Sequence, residues 1–235
     1  MKKVYIYKRF ERIWHWTQAL LILLLIITGF EIHSTYELFG YRSAVAIHNN
    51  AGWAFLALII LAVFWHFTTG EWKQYIPTGK MIKAQIEYYV FGIFKNAPHP
   101  TKKLIYNKFN PLQRIVYLGL KILVIPVQVI TGFLYLFYPD LSIRGLEIVA
   151  VLHTLGAFLL ISFVIAHIYL VTLGHKATTS IKAMITGWEE MDDDAIEEII
   201  KDEIDIIKTK IKIDEKNFGN ENLIEEKISK LINKK

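Results

Sequence analysis

Residues 148–174 read IVAVLHTLGAFLLISFVIAHIYLVTLG, an apolar stretch of 27 residues without Asp, Glu, Lys or Arg. A helix needs about 20 mostly apolar residues to cross the roughly 30 Å hydrocarbon core of a bilayer. Buried helices of soluble proteins are usually shorter and amphipathic. The stretch therefore predicts a membrane-spanning helix, and this helix carries His153 and His167.

Three further apolar runs precede this stretch. Residues 13–30 and 44–67 contain no acidic residue, lysine or arginine, and residues 115–139 are interrupted only by Lys121 and end at Pro139. The first run lacks a small-x-small cleavage site, so we expect a retained helix and not a signal peptide. The sequence predicts an all-α integral membrane four-helix bundle, with helices at about 13–32, 44–67, 113–138 and 147–174.

The composition excludes several other classes of protein. The 235 residues are 53% hydrophobic, and there is no cysteine, which excludes disulfides, iron–sulfur clusters with cysteine ligands and covalently attached haem. The net charge of +5 is the balance between +11 in residues 1–188 and −6 in residues 189–235. Because the positive charge flanks apolar runs, we expect no binding of nucleic acid and a surface in contact with lipid.

The distribution of lysine and arginine predicts the orientation of the bundle, because such residues accumulate in cytoplasmic loops. The two loops on one side hold only Arg42 and Arg144. The other side holds Lys2, Lys3, Lys8, Arg9, Arg12, Lys73, Lys80, Lys83, Lys95, Lys102, Lys103, Lys108, Arg114, Lys176 and Lys182. Both termini are therefore predicted to be cytoplasmic.

The chain is expected to divide at about residue 188. Residues 1–188 form the membrane domain, and residues 189–235 form a charged cytoplasmic tail that is helical or partly disordered. Isoleucines recur at helical spacing among the acidic residues of this tail. An interaction helix and a solvated tail are both consistent with the pattern.

Histidines inside the apolar runs are the candidate functional residues, since ionisable groups within a membrane are costly and mostly functional. His153 and His167 are 14 residues apart, so they share a helix face at depths that differ by about 21 Å. His48 and His66 are 18 residues apart and also share a face. His48 matches the depth of His153. Either His15 or His66 has the depth to pair with His167, and the spacing alone leaves both open.

Two imidazoles at one depth on facing helices can hold one haem, so the pattern predicts two sites for non-covalent haem b. Ligation by two histidines favours electron transfer over oxygen chemistry. The alternative function is a transporter or anchor without haem that uses the histidines to carry protons. That alternative lacks the intramembrane Asp or Glu that proton relays usually include.

A weak internal repeat relates the two halves of the membrane domain. The triplet Thr-Gly-Phe occurs at residues 28–30 and again at 131–133, and Arg-Ile occurs at 12–13 and at 114–115. A histidine followed by glycine three or four residues later opens the second helix of each half, at His48 and His153. The repeat predicts two related helix hairpins.

These motifs together resemble a known family over roughly residues 8–187. They are RIWHWT at 12–17, TG at 28–29, IH at 47–48 with Gly52, NPLQR at 110–114, TG at 131–132, LH at 152–153 with Gly156, AHIY at 166–169 and SIKAMITG at 180–187. In this order they resemble the four-helix di-haem cytochrome b family that includes the gamma subunit of respiratory formate dehydrogenase. Cytochrome b subunits of thiosulfate reductase and of some hydrogenases are similar.

The resemblance implies a set of ligands and a substrate. His48 and His153 would bind the outer haem, and His15 and His167 the inner haem, which favours His15 over His66. A quinone, menaquinone or ubiquinone, would react near Asn110 and His167. This chain has Leu112 where the family has glycine, so it departs from the family pattern within the quinone region.

The resemblance also implies the place of the chain in a larger complex. We expect a multi-pass protein of a prokaryotic cytoplasmic membrane that passes electrons between an extracytoplasmic iron–sulfur or multihaem subunit and the quinone pool. That subunit would serve a catalytic subunit, a dehydrogenase, hydrogenase or sulfur-compound reductase. Arg42 and Arg144 are candidate partners of the outer haem propionates, and Arg9 and Arg12 of the inner ones.

Overall fold

The computed structural model describes residues 2–77, 79, 81–95, 97, 100, 108–172 and 178–191, with seven more residues between 196 and 208. The helices are α1 (Arg9–Ile32), α2 (Tyr41–Thr69), α3 (Ile82–Glu87), α4 (Pro111–Leu136), α5 (Ile143–Val171) and α6 (Thr179–Thr186). Strands β1 (Lys2–Tyr5) and β2 (Trp188–Met191) form a small sheet that the sequence analysis did not predict.

Four helices in the described part of the chain, α1, α2, α4 and α5, are long and apolar enough to cross a membrane. The predicted membrane four-helix fold is therefore confirmed. Each of these helices begins two to four residues before the expected position, and polar side-chain caps stabilise the early starts of α4 and α5. Ser142 accepts a hydrogen bond from the Gly145 N–H ahead of α5, and Asn110 accepts one from the Gln113 N–H ahead of α4.

The α4 helix contains one wide turn. Leu120–Val124 forms a π-helical turn that contains Lys121, and Pro126 follows it. Proline has no N–H, and its ring clashes with the carbonyl of the residue four positions earlier, here Ile122. The wide turn relieves that clash without ending the helix, and such turns are frequent at functional sites.

The long helices pair as two hairpins. Helix α1 packs closely on α2, and α4 packs closely on α5, whereas helices of different hairpins approach each other closely at few positions. Buried residues of α2 are mainly small, including Ala44, Ala51 and Ala62, while large side chains such as Phe67 point outward and are 69% exposed. Small residues at helix contacts and large apolar residues outside are typical of a bundle surrounded by lipid.

One end of this bundle holds His48 and His153, and we call it the His48 end. The opposite end holds His15, His66 and His167, and we call it the His15 end. At the His15 end, α6 is joined to α1, since Arg12 and Trp16 donate hydrogen bonds to the carbonyls of Ile185 and Met184.

The segment between α2 and α4 is helical in part. A 3₁₀ helix (Glu71–Tyr75) follows α2, and α3 continues through a π-turn (Tyr88–Gly92) into a 3₁₀ turn (Ile93–Lys95). Gln85 is fully buried, whereas Phe91 and Phe94 are exposed. This arrangement fits a segment that lies at the membrane interface with its aromatic residues toward lipid.

The chain separates into two units, of which residues 3–189 form the membrane unit. The other unit comprises residues 1–2 and 190–235. Its seven described residues between 196 and 208 are helical, and Asp205 and Lys208 form an ion pair of 3.9 Å there. The rest of the predicted tail, residues 209–235, lies outside the described residues, as do residues 173 and 174 at the predicted end of the fourth helix.

The close packing of α1 on α2 can be tested at Ala44, which is fully buried. Ala44→Leu should destabilise the protein by about 1–3 kcal/mol, because the added atoms have no space at the contact. Val63→Leu adds less volume on the same helix, at a position that is 50% exposed, and should have little effect. Thermal unfolding in detergent measures both variants. Equal melting temperatures would contradict the proposed packing.

Candidate functional site

The first histidine pair lies at the His48 end and joins the two hairpins. The imidazole rings of His48 on α2 and His153 on α5 have centroids 6.3 Å apart and planes inclined by 65°. Each histidine is near the start of its helix, as the sequence analysis predicted. The tertiary structure therefore brings these two side chains together across the space between the hairpins.

Each histidine of this pair is held by a threonine of its own hairpin. Nδ1 of His48 is 2.9 Å from Oγ1 of Thr28, and Nδ1 of His153 is 2.8 Å from Oγ1 of Thr131. Both threonine hydroxyls donate to a carbonyl of their own helix, at 2.7 and 2.6 Å, so their oxygens accept from the imidazoles. Nδ1 then carries the proton, and Nε2 keeps its lone pair for a metal ion.

The second histidine pair lies at the His15 end. The ring centroids of His15 on α1 and His167 on α5 are 6.2 Å apart, and the planes are inclined by 51°. Phe163 stacks on His167 one turn earlier in α5, with centroids 5.6 Å apart. Nδ1 of His15 is buried and has no hydrogen-bond partner among the described residues. The two pairs thus have similar spacing but different hydrogen bonding.

The spacing of both pairs matches ligation of one metal ion by two imidazoles. An imidazole nitrogen binds a first-row metal ion at about 2 Å, and the ring centre lies about 1.1 Å behind it, which puts two such centroids about 6 Å apart. The measured separations of 6.2 and 6.3 Å agree with this value. The side chains present therefore fit a haem iron in each pair.

The internal repeat has a structural explanation at this site. A Cβ atom on Gly29 would lie 3.5 Å from Cε1 of His48, and one on Gly132 would lie 3.3 Å from Cε1 of His153. Each Thr-Gly step thus provides a hydroxyl acceptor and room for the neighbouring ring. The repeated triplets were visible in the sequence, but their contact with the histidines was not.

His66 does not join either pair. Its ring contacts are with Trp14, Trp65 and Tyr75, and its Nδ1 is 2.6 Å from the carbonyl oxygen of Ala62. The ring that faces His167 belongs to His15. His99 and His175 lie outside the described residues.

Asn110 lies at the His15 end and caps α4. Its Oδ1 accepts from the Gln113 N–H at 2.8 Å, and its Nδ2 donates to the hydroxyl of Tyr89 at 2.9 Å. The neighbouring Phe109 begins a series of ring contacts that passes through Tyr117 and Phe163 to His167. A chain of aromatic side chains therefore connects the surroundings of Asn110 with the second histidine pair.

The arginines predicted near haem propionates occupy both ends of the bundle. Arg42 and Arg144 are exposed at the His48 end, each the second residue of its helix. Arg12 lies at the His15 end, where one of its NH groups donates to the Ile185 carbonyl at 2.5 Å. Its Nε is buried without a partner among the described residues. Arg9 and Arg12 line one groove with Trp16 and Ile185.

Glu31 is a buried acidic residue in the last turn of α1, directly after the apolar run that ends at Phe30, and the apolar pattern gives no sign of its role. Its Oε1 accepts hydrogen bonds from the N–H groups of Leu38, Phe39 and Gly40 at 2.6–2.8 Å. These bonds hold the turn between α1 and α2. They thereby place the start of α2, on which His48 lies two turns later.

Comparison with known proteins identifies the family. The sequence pattern of the family described as prokaryotic cytochrome b561 matches residues 6–187. The chain belongs to this family. The match spans all four membrane helices and both histidine pairs, and it establishes a multi-pass prokaryotic membrane protein that is a b-type cytochrome.

Individual relatives carry related names. Cytochrome YdhU of Escherichia coli strain K12 is 30% identical over 201 residues, which cover 80% of this chain and 75% of the relative. An Ni/Fe-hydrogenase B-type cytochrome subunit of Rhizobium leguminosarum bv. viciae is 30% identical over 72% of this chain and 80% of the relative. The Ni/Fe-hydrogenase 1 B-type cytochrome subunit of Escherichia coli strain K12 is 24% identical over 78% of this chain and 89% of the relative.

Proposed function

We propose that this protein carries electrons across the membrane through two haem b groups, each held by two histidines, between an extracytoplasmic redox partner and the quinone pool. Two facing pairs of histidines carry the proposal: His48 with His153, and His15 with His167. In both pairs the two rings come from different hairpins, and the distances between ring centroids are nearly equal. One metal ion bound between the two rings of each pair would require such a distance.

The cofactor is expected to carry electrons only. His48 with His153 and His15 with His167 would each hold one haem, and haem held by two histidines would supply single-electron transfer and not oxygen chemistry. The chain supplies the orientation of the ligands. Thr28 and Thr131 hold the rings of His48 and His153 with Nε2 free.

The arginines would bind the charged edges of the cofactors. Arg42 and Arg144 lie at the His48 end, where their guanidinium groups suit carboxylates at the membrane surface. Arg12 occupies a corresponding position at the His15 end, with a buried Nε that has no partner among the described residues. A propionate beside Arg12 would satisfy that group.

The proposed orientation puts the His15 end toward the cytoplasm, because the lysine-rich segments belong to that end. Quinone is proposed to react there, near Asn110 and His167. The aromatic series that begins at Phe109 supports this position, since it links the two residues through Tyr117 and Phe163. Leu112, where the resembled family has glycine, is half-buried beside Asn110 and would contact the quinone region.

A partner subunit is required at the extracytoplasmic side. The chain has no cysteine and therefore cannot hold an iron–sulfur relay with cysteine ligands. Two of the relatives are named as B-type cytochrome subunits of Ni/Fe-hydrogenase. We infer that an iron–sulfur or multihaem subunit, attached to a catalytic subunit, exchanges electrons with the haem at the His48 end.

Absorption spectroscopy tests the proposal most directly. The purified protein should show reduced-minus-oxidised bands of haem b, with about two haems per chain if each histidine pair binds one. His153→Ala and His15→Ala should each reduce the haem content to about one per chain. The exposed His33→Ala is the control and should retain both haems. A colourless protein, or loss of haem in His66→Ala but not in His15→Ala, would contradict the assignment.

The hydrogen bond from His153 to Thr131 should influence the potential of the bound haem. Thr131→Val removes the acceptor for Nδ1–H, which makes the imidazole a weaker donor and should raise the midpoint potential. Thr131→Ser keeps a hydroxyl acceptor and should leave the midpoint potential near that of the wild type. Thr68→Val is the matched control, because Thr68 bonds only backbone carbonyls of its own helix in the described part. Redox titration with optical detection measures the shift, and equal potentials in Thr131→Val and Thr68→Val would refute this role.

The proposed quinone contact of Asn110 can be separated from its capping role. Asn110→Asp keeps the oxygen that caps α4 but loses the amide donor, so stability should be retained while reoxidation of the haems by a soluble naphthoquinone slows about tenfold. Gln113→Glu makes the same amide-to-acid change one turn later and should leave the rate near that of the wild type. Stopped-flow absorption measures the rates. Equal slowing in both variants would indicate an effect of charge and not of the amide donor.

A further inference from the structure

A polar cluster inside the His15 end has no part in the histidine pairs. It consists of Lys121 on α4, His66 on α2 and Tyr75 on the 3₁₀ helix after α2. Nζ of Lys121 and the hydroxyl of Tyr75 are each 3.3 Å from Nε2 of His66. Nζ of Lys121 also lies 3.2 Å from the centroid of the Tyr75 ring. Three proton-bearing groups therefore meet between α2, α4 and the 3₁₀ helix.

The hydrogen bonds of this cluster leave one acceptor between two donors. Nδ1 of His66 donates to the carbonyl of Ala62 at 2.6 Å, so Nε2 is the accepting nitrogen of the neutral ring. Lys121 and Tyr75 both present protons to this nitrogen, and its single lone pair serves one of them at a time. A proton can move between the three groups with little displacement of heavy atoms.

An ion network lies close to this cluster, and the charges of its Glu11 and Glu71 act on Tyr75. Lys108, which is only 3% exposed, binds Glu11 at 2.7 Å and lies 3.9 Å from Glu71, and Lys8 binds Glu71 at 2.5 Å. Burial opposes ionisation of Glu71, but the hydrogen bond from Lys8 and the charge of Lys108 hold its pKa below the ordinary value. Glu71 is therefore an ionised carboxylate in the network beside the cluster.

Tyr75 connects the ion network with His66. Burial, reinforced by the negative charge of Glu11 and Glu71, raises the pKa of the Tyr75 hydroxyl above its ordinary value. The hydroxyl therefore stays protonated at physiological pH. A neutral hydroxyl can accept a proton on one side and donate its own on the other, which suits it to pass protons without carrying a charge.

The other side of the cluster points toward the second histidine pair. Trp14 contacts both the ring of His66 and Nζ of Lys121, with separations of 5.4 Å, and the next residue along α1 is His15. Lys121 lies in the π-helical turn of α4 (Leu120–Val124) that Pro126 follows. The cluster thus lies between the ion network and the neighbourhood of His15.

We propose that Tyr75, His66 and Lys121 form a proton path between the Glu11–Glu71–Lys108 network and a quinone that reacts beside the His15–His167 pair. This inference rests on the proposed function, which supplies the electrons. It assigns a role to His66 and to Lys121, which take no part in the histidine pairs.

Each transfer moves one proton and conserves charge. A proton entering beside Glu71 forms a bond to the Tyr75 oxygen while the existing O–H proton passes to Nε2 of His66, which becomes an imidazolium. Lys121 gives one ammonium proton to a quinone oxygen and regains one from His66. Two such passages, with the two electrons of the proposed function, convert a quinone to a quinol, and the reverse sequence releases protons when a quinol is oxidised.

The first test removes only the hydroxyl of the path. Tyr75→Phe keeps the ring beside Lys121, so a purely structural role predicts no change. The haems of the purified cytochrome are reduced, mixed with a soluble naphthoquinone and followed by stopped-flow absorption from pH 6 to pH 8.5. Tyr75→Phe should slow reoxidation about tenfold at pH 8, and less at pH 6 where protons are more abundant. Tyr138→Phe, on an exposed ring at the opposite end, is the matched control.

The second test is an equilibrium measurement that does not depend on turnover. Groups that bind protons close to the His15–His167 pair should make the midpoint potential of its haem depend on pH. The titratable groups of the cluster and of the ion network are Lys121 from α4, His66 from α2, Tyr75 and Glu71 from the 3₁₀ helix, Glu11 from α1 and Lys108 from the segment before α4. Lys121→Met should reduce this pH dependence, whereas Lys83→Met, at an exposed lysine, should preserve it.

The outcomes separate the proton path from the proposed function. A pH-dependent slowing in Tyr75→Phe, together with a flatter potential profile in Lys121→Met, supports the path. A wild-type protein that naphthoquinone does not reoxidise at any pH would refute the proposed quinone reaction, and the path with it. Normal reoxidation of the wild type, with Tyr75→Phe equal to Tyr138→Phe at every pH, would refute the path alone.

Discussion

The hydrogen bond between a threonine hydroxyl and a histidine Nδ1 determines how each hairpin presents its ring at the His48 end. Thr28 holds His48, and Thr131 holds His153, with lengths of 2.9 and 2.8 Å. In each case the threonine proton is already donated to the backbone, so only one imidazole tautomer satisfies the pair. The position of one helix against the other in each hairpin therefore sets the direction in which Nε2 of the histidine points. The proposed haem site depends on this direction.

The lipid environment explains the distribution of polar groups through the rest of the bundle. Large apolar side chains face outward, so small residues such as Ala44 and polar residues such as Thr28 occupy the contacts between helices. Every buried polar group then needs a partner within the protein, since lipid offers none. Oε1 of Glu31 meets this need with three backbone N–H groups, and His66 meets it with Ala62, Tyr75 and Lys121.

The two ends of the bundle differ in a way that suits different tasks. At the His48 end both rings are fixed by hydroxyl groups, and the exposed Arg42 and Arg144 lie nearby in the chain. At the His15 end Nδ1 of His15 has no partner among the described residues, and the surroundings contain Lys121, His66 and an ion network. The first arrangement suits the proposed electron contact with a partner, and the second suits the proposed proton path to a quinone.

The amino-acid sequence by itself determined the four membrane helices, because 18 to 27 consecutive apolar residues have few stable alternatives to crossing a bilayer. It also determined the depths of the histidines, since helical rise converts spacing along the chain directly into depth. The family resemblance predicted His15 opposite His167, and the structure brings these two rings together. Spacing alone left His66 as an equal choice.

Only the tertiary structure decided which side chains touch. Spacing along one helix carries no information about the rotation of a neighbouring helix, so the contacts of Thr28 with His48 and of Lys121 with His66 were not predictable. The early start of each long helix and the sheet of β1 and β2 were missed for a related reason. Caps and short strands depend on single polar contacts that an apolar pattern does not record. The helices follow from local chemistry, whereas the candidate sites follow from how the helices pack.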